Sequence, residues 1–343
     1  MMLKQTGKTP INALASAKIE EKPKLLRGSA TYWYMKSTLE PLTYLMLNLP
    51  YACNYNCLKC CNAWEGRQKN KPLSMPEIAN VISEASGLGM KSLVITGEGE
   101  PFLNSKIRKI LKTANGERLI PYIFTNGSRL GKETVSYAVE FGASLIISID
   151  SLVEKTYERL AQTPGSFRTL MQNIENVRES FAPTIEHREK FDIVRVAINA
   201  VVSADNYSEL FLTDGRQLMH EFCGKDFALA YNTPMERGNA KSFPNFTRIP
   251  DGAVYASTLP LGTFEDWCAY MHNGISVGYD GSILACGYSL QSERRLGNVK
   301  DGGLAKYRGI ANKTIDRFYS KFSHERCLLR HPKYEVYIKG LGE

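Results

Sequence analysis

The chain predicts an α/β fold built on a parallel sheet, and three observations carry that prediction. Six apolar runs, at 44–49, 92–96, 120–125, 144–150, 194–202 and 227–231, alternate with stretches whose apolar residues recur at helical spacing. One of the runs, Leu145-Ile146-Ile147-Ser148-Ile149, is nearly continuous, as a strand buried on both faces must be. The connections between runs are long enough to hold a helix, and parallel strands require such crossovers.

Taken in order, residues 1–40 read as a poorly ordered start followed by an arm. In the arm, Tyr32-Trp33-Tyr34-Met35 is suited to packing against the main domain. The first strand, around Tyr44-Leu45-Met46-Leu47, leads into a cysteine-rich loop. Ser74 is the predicted N-cap of the next helix, with Pro76 and Glu77 in its first turn. Ile78, Val81, Ile82 and Ala85 mark its buried face, and Gly87 and Gly89 end it. The second strand, 92–96, is followed by a helix over 105–114. The third, 120–125, ends in the turn signal Asn126-Gly127 and is followed by a helix over 132–141. The fourth, 144–150, precedes two helices at 153–161 and 166–181. The fifth, 194–202, and the sixth, 227–231, flank a helix over 207–222.

Length and composition narrow the classes. The chain has 343 residues, 43% hydrophobic and 23% charged, ordinary values for a folded protein of one large domain or two smaller ones. No apolar run is long enough to span a bilayer as a helix, so no membrane association is expected. The first thirty residues lack the apolar block of a secretory signal, and a cytoplasmic location is expected. Eight cysteines in such a chain point to metal or redox chemistry rather than disulfides. The net charge of +8 is spread along the chain with no basic stripe interleaved with aromatics, so a nucleic-acid surface is not indicated.

The chemistry centres on 51–62, YACNYNCLKCCN. Cys53, Cys57 and Cys60 are close enough to converge on a soft metal centre, either an iron–sulfur cluster or zinc. Three ligands on a cubane would leave one iron open. The loop follows a strand, and parallel α/β proteins place their chemistry at the carboxyl ends of strands.

Cys-x3-Cys-x2-Cys after a first strand resembles the radical SAM superfamily. The resemblance covers about 40–235. It implies a partial (β/α)6 TIM-like barrel, with Cys53, Cys57 and Cys60 holding a [4Fe–4S] cluster. The open iron would bind S-adenosylmethionine (SAM), and one electron would cleave it to a 5′-deoxyadenosyl radical that abstracts hydrogen from substrate carbon. An external one-electron reductant such as flavodoxin or ferredoxin is then needed. Lys59 stands where such enzymes often carry an aromatic residue. By the same resemblance, Gly97, Glu98, Gly99 and Glu100 fall on the turn that contacts the SAM amino group, and Asn126 ends the third strand. Ser148 and Asp150 take the place of groups on the SAM ribose or carboxylate, with a helix cap as the other reading. Arg195 and Asn199 are candidates for the SAM carboxylate or adenine.

A second cysteine group lies at Cys268, Cys286 and Cys327. Asp280-Gly281 between alternating apolar residues signals a hairpin. Cysteine, hairpin, cysteine and then Gly297-Asn298-Val299 resembles the SPASM and twitch extensions of radical SAM enzymes. The resemblance implies a small C-terminal α+β region over 236–343, after a barrel over 41–235, with a second, auxiliary [4Fe–4S] cluster. Its fourth ligand is left open between His324, His331 and the substrate. Cys61 reads as a spectator. Cys223 is either a buried small hydrophobe or a thiol that returns hydrogen to a substrate radical, its candidate catalytic role.

The expected function is a radical SAM oxidoreductase that oxidises or epimerises a small polar molecule such as a sugar or aminocyclitol. Three features favour this: a short chain, no N-terminal leader-binding domain and a single auxiliary cluster. A maturase acting on a ribosomal peptide, a tRNA- or nucleoside-modifying enzyme and a zinc-stabilised binding module are the alternatives.

Overall fold

The structure is a computed structural model. It describes residues 22–36, 43–62, 70–96, 98–211, 214–232, 238–242, 274–284, 286–287, 295–310, 313, 317 and 320. Strand β1 (Lys24–Leu26) and helix α1 (Ala30–Met35) come first, then β2 (Tyr44–Leu47), α2 (Met75–Gly87), β3 (Ser92–Ile95), α3 (Ile107–Gly116) and β4 (Ile120–Thr125). Next are α4 (Lys132–Glu140), β5 (Ser144–Ser148), α5 (Glu154–Ala161) and α6 (Ser166–Phe181). Two short strands, β6 (Glu186–His187) and β7 (Asp192–Val194), precede β8 (Val196–Val201). Helices α7 (Tyr207–Phe211) and α8 (Gly215–Cys223) lead to β9 (Ala228–Asn232), and β10 (Gly274–Val277), β11 (Ser282–Leu284) and β12 (Gly297–Asn298) follow.

The main sheet has the order β12-β11-β10-β2-β3-β4-β5-β8-β9. Every pair from β10 to β9 is parallel, and only β11 runs the other way, antiparallel to both β10 and β12. The six strands expected from the apolar runs are β2, β3, β4, β5, β8 and β9, within two residues at most ends. Ser74 caps α2 as its position predicts: the Ser74 backbone N–H donates to Glu77 Oε2 at 2.7 Å, and Glu77 N–H donates back to Ser74 Oγ at 3.4 Å. The single helix expected over 207–222 is instead two. A Cβ on Gly215 would lie 1.7 Å from the Glu209 carbonyl oxygen, so the chain folds tightly back on itself where α8 begins.

Alternation along the strands sorts the core into two layers. Leu45, Leu47, Leu93, Ile95, Ile123, Leu145, Ile147 and Ile198 pack with Val81, Ile82, Ile110 and Leu170 of the helices. Tyr44, Met46, Val94, Tyr122, Ile146 and Ala197 point the other way, into the barrel. There they meet Leu26, Tyr32, Trp33 and Ile193. The arm therefore stoppers the end of the barrel where the strands begin. Trp33 Nε1 donates to Ser92 Oγ at 2.9 Å, and Ser92 Oγ donates to the Gly28 carbonyl at 3.0 Å. Gly28 has φ +82 and a Cβ there would press on Ile120, so glycine is needed for the arm to pass. Strand β1 pairs with β7, which ties the arm down.

The hairpin expected around Asp280-Gly281 forms between β10 and β11, with Gly281 at φ +89. Its placement differs from the expected separate C-terminal region. Strand β10 lies parallel to β2, from Gly274 opposite Tyr44 to Val277 opposite Leu47, and so extends the barrel sheet at its first strand. Leu304 and Tyr307 are buried in the same core as α2, and Leu304 N–H donates to Glu84 Oε2 at 2.6 Å. The main sheet thus takes strands from both sides of residue 236. No helix among the described residues is long and apolar enough to cross a membrane.

Candidate active site

The loop 51–62 leaves β2 at the carboxyl end of the sheet and is braced on all sides. Glu100 N–H donates to the Ala52 carbonyl at 2.7 Å. Gly99 lies so close beneath that a Cβ would sit 2.2 Å from the same oxygen, and a backbone atom cannot swing aside. Leu58 N–H donates to the Leu160 carbonyl at 2.9 Å. Asn54 exchanges hydrogen bonds with Asn126 and Ser128. Lys59 forms an ion pair with Asp150. Asn239 closes the far side, its N–H donating to the Cys60 carbonyl and its Nδ2 to the Cys57 carbonyl, both at 3.0 Å. Gly238, at φ +56, lets the chain run against Cys60 and Cys61.

These braces hold Cys53, Cys57 and Cys60 on one anchored loop. Burial pushes the Cys53 thiol up to about 11, with the Glu100 and Cys60 charges adding to it. Burial pushes Cys57 up to about 12, Lys59 opposing and Cys60, Asp150 and Cys53 reinforcing. Tyr51 is pushed up to about 12 by burial first and then by the charges of Cys60, Cys53 and Cys57. Such thiols stay protonated at neutral pH unless a cation takes the protons' place. Cys61 faces Asn62 at 3.8 Å.

Glu100 is a buried strut. It accepts from Thr125 Oγ1 at 2.8 Å, Asn126 N–H at 2.7 Å and Phe102 N–H at 3.1 Å, which joins the turn after β3 to the end of β4. Burial outweighs these donors and pushes its carboxyl up to about 7. Its carboxylate oxygens are thus engaged by the protein's own donors. Glu98 is half-buried, and its charge reaches Tyr279 of the β10–β11 turn. Gly97 lies outside the described residues. Asn126 Nδ2 comes within 4.0 Å of the Cys53 sulfur. Ser148 and Asn199 are register partners on the barrel's inner face, where Asn232 donates to Asn199. Asp150 also accepts from Val201 N–H at 2.8 Å.

Two expected site residues lie elsewhere. Arg195 sits where β8 begins, at the opposite end of the barrel. Its guanidinium caps α4, donating to the carbonyls of Ala143 at 3.0 Å, Val139 at 3.1 Å and Ala138 at 3.2 Å, and it stacks on Phe181. Cationic side chains favour helix C-termini, and this one is fully used there. Cys223 ends α8 in the core between helices and sheet, 2% exposed. That layer lies on the helix side of the sheet, away from the barrel's inner face.

Of the second cysteine group, Cys286 is described, while Cys268 and Cys327 lie outside the described residues, as do His324 and His331. Cys286 is buried directly after β11. The next residue, Gly287, accepts from Asn48 Nδ2 at 2.8 Å, and Thr96 Oγ1 donates to Asn48 Oδ1 at 2.9 Å. Asn48 and Thr96 continue the inner faces of β2 and β3, so Cys286 lies at the same end of the sheet as the cysteine loop.

Residues 47–188, from the end of β2 into β6, match the radical SAM superfamily. They form a radical SAM domain. Curated relatives include a probable GTP 3′,8-cyclase of Thermococcus kodakarensis, 30% identical over 149 residues, which are 42% of this chain and 46% of that protein. Another is an S-adenosylmethionine-dependent nucleotide dehydratase of Psychrobacter lutiphocae, 28% identical over 46% of this chain and 55% of that one. The chain thus spans about half the length of these relatives. Among solved structures, anSMEcpe with bound AdoMet aligns over 87% of this chain and 88% of its own, with TM-score 0.57 and 15% identity. SuiB of Streptococcus suis aligns over 84% and 74%, with TM-score 0.56 and 15% identity. At that identity the likeness is one of fold, the partial barrel.

A [4Fe–4S] cluster and SAM are the cofactors of a radical SAM domain, and the residues present fit them. Three soft donors stand within eight residues on a loop anchored by hydrogen bonds and an ion pair. Gly99 leaves the space under the loop that any side chain would fill. Sequence reasoning missed Tyr51, the Asp150 partner of Lys59, the Asn239 clamp and the Asn48–Thr96 pair. The only available signal was Lys59, a charge at a position where an apolar ring is usual.

Proposed function

We propose that the chain is a radical SAM enzyme whose Cys53, Cys57 and Cys60 hold the [4Fe–4S] cluster. Its substrate is a small, polar, sugar-bearing molecule. The observation that carries this is the placement of all three cysteines on one loop at the carboxyl end of β2, braced by Gly99, Asp150 and Asn239. When bound, the cluster and SAM supply a carbon-centred radical able to take hydrogen from an unactivated C–H bond. The chain's residues hold and orient. Gly99 and Glu98 stand under the methionine end of SAM, with Gly97 the third residue of that sequence motif, and Asn126 and Ser148 offer neutral hydrogen-bonding groups at the strand ends. Glu100 keeps that turn in register with β4. An external one-electron donor of the flavodoxin or ferredoxin kind is required.

The inner face supports the substrate class. Its upper positions, Asn48, Thr96, Ser148, Asn199 and Asn232, carry amides and hydroxyls suited to a polyhydroxylated molecule. Oxidation or epimerisation of a sugar or aminocyclitol fits this lining. The names of the sequence relatives add nucleotides, which also carry a sugar. Cys286, with Cys268 and Cys327, is proposed to hold an auxiliary [4Fe–4S] cluster near the same end of the barrel.

Anaerobic reconstitution followed by incubation with SAM, dithionite and a substrate panel tests this, with 5′-deoxyadenosine as the readout. Uptake of about eight irons per chain and release stimulated by nucleotides, sugars or aminocyclitols is expected. Stimulation by a peptide alone would favour the maturase alternative, and a colourless zinc protein would end the enzyme reading.

A further inference from the structure

Lys59 lies between two of the three cluster cysteines, and its ammonium meets both oxygens of the Asp150 carboxylate. Both side chains are largely withdrawn from solvent, at 12% and 7% exposure. The anchor is firm. Asp150 accepts from Val201 N–H at 2.8 Å, and its carbonyl accepts from Asn206 Nδ2 at 2.7 Å. Asn206 also donates to the Val201 carbonyl at 2.9 Å and accepts from Ser203 N–H at 2.8 Å. The loop is therefore tied through Lys59 to the seam between β5 and β8. A partly buried ion pair interacts through less solvent than a surface pair, so its field at nearby groups is strong.

We propose that the Lys59–Asp150 pair is a positioning and redox-tuning device for the cluster held by Cys53, Cys57 and Cys60. Lys59 places a fixed positive charge inside the cysteine loop, and Asp150 holds it there. Reduction adds one negative charge to the cluster. A nearby cation stabilises that form and a nearby carboxylate opposes it. Lys59 is part of the cysteine loop itself, next to Cys60, while Asp150 stands on the chain after β5, so the cation is the member of the pair that the loop carries. A Lys at this position would do by charge what a ring cannot, and it links electron acceptance to the correct seating of the loop.

The inference rests on the reading proposed above, and the experiment separates the two. Reconstituted wild type, Lys59→Met, Lys59→Arg and Asp150→Asn chains are assayed for iron content, and their cluster midpoint potentials are measured by EPR-monitored redox titration. Lys59→Met is expected to make the cluster about tenfold harder to reduce at a fixed reductant poise, about 59 mV for one electron. Asp150→Asn keeps the ammonium and removes the opposing charge, so its potential should rise. Lys59→Arg should stay within about threefold of wild type. Opposite shifts with near-wild-type iron support the proposal. If Lys59→Met loses its iron, the rise in Asp150→Asn and the rescue by arginine decide. Unchanged potentials, or shifts of the same sign, overturn the tuning role and leave only a structural contact. A wild-type chain that takes up no iron overturns the functional reading itself.

Discussion

The two ends of the barrel are built from opposite materials. Where the strands begin, the interior holds Tyr44, Met46 and Val94 against Trp33, Leu26 and Ile193, closed by an arm from earlier in the chain. Where they end, the same inner faces carry Asn48, Thr96, Ser148 and Asn199, and the cysteine loop lies over them. The first end is a packed core in which Trp33 Nε1 and Ser92 Oγ find partners within the protein. The second holds buried thiols, a buried carboxyl and a buried ion pair, all costly unless partnered. Stability is concentrated at one end so that the other can carry strained, chemistry-bearing groups.

The sharpest break of this contrast is at the polar end. Changing Cys53, Cys57 and Cys60 to alanine should abolish 5′-deoxyadenosine formation while the fold and the iron bound by the second cysteine group survive. Circular dichroism and iron analysis of the same preparation check both halves. Residual SAM cleavage in that variant would place the cluster elsewhere.

At the closed end, Trp33→Ala should cost about 3–5 kcal/mol of stability, as for a large aromatic removed from a core. Denaturant titration of the apo chain measures it. SAM binding at temperatures where the variant stays folded should be close to wild type, because the stopper is remote from the loop.

Gly99→Ala sits at the junction of loop and turn. The new methyl would meet the Ala52 backbone at 2.2 Å. A shift of the loop should weaken SAM binding at least tenfold, about 1.4 kcal/mol, with the closed end untouched. Equal affinity, measured by calorimetry on the reconstituted chain, would show that the turn lies off the SAM site.

Glu100 gives a pH signature. Its folded value, raised to about 7 from an ordinary 4.5, means that the folded chain holds the proton more tightly than the unfolded one. Its contribution is therefore fully present below about pH 4.5 and is lost as pH rises toward 7, at up to about 1.36 kcal/mol per pH unit. Glu100→Gln should remove that slope in apo-chain denaturation experiments. A slope that persists would assign it to another group.

The smallest effect is expected at Cys223. In the layer between α8 and the sheet, Cys223→Ala should lower stability by about 1 kcal/mol and leave the product distribution unchanged. Loss of product with retained 5′-deoxyadenosine formation would assign it the hydrogen-donor role.

Much of this arrangement is legible in the amino-acid sequence because its causes are local. Apolar runs of strand length separated by helix-length connections force a parallel sheet, and the strands lie where the runs do. The capping pair Ser74 and Glu77, the turn at Asp280-Gly281 and the spacing of Cys53, Cys57 and Cys60 act over a few residues. The tertiary structure decided what depends on distant partners. Alternation assigns Arg195 and Asn199 to the strand but not to an end or a face, and the fold sends Arg195 to cap α4. Lys59 meets Asp150 from 91 residues away, and Asn239 reaches Cys57 across 182. Strand β10 slides in beside β2, joining a hairpin that reads as a separate region to the barrel. Local patterns set elements, because backbone sterics and hydrogen bonding act between neighbours. Which buried charge finds which partner is settled only when those elements pack, since the cost of an unpaired charge exists only in the folded interior.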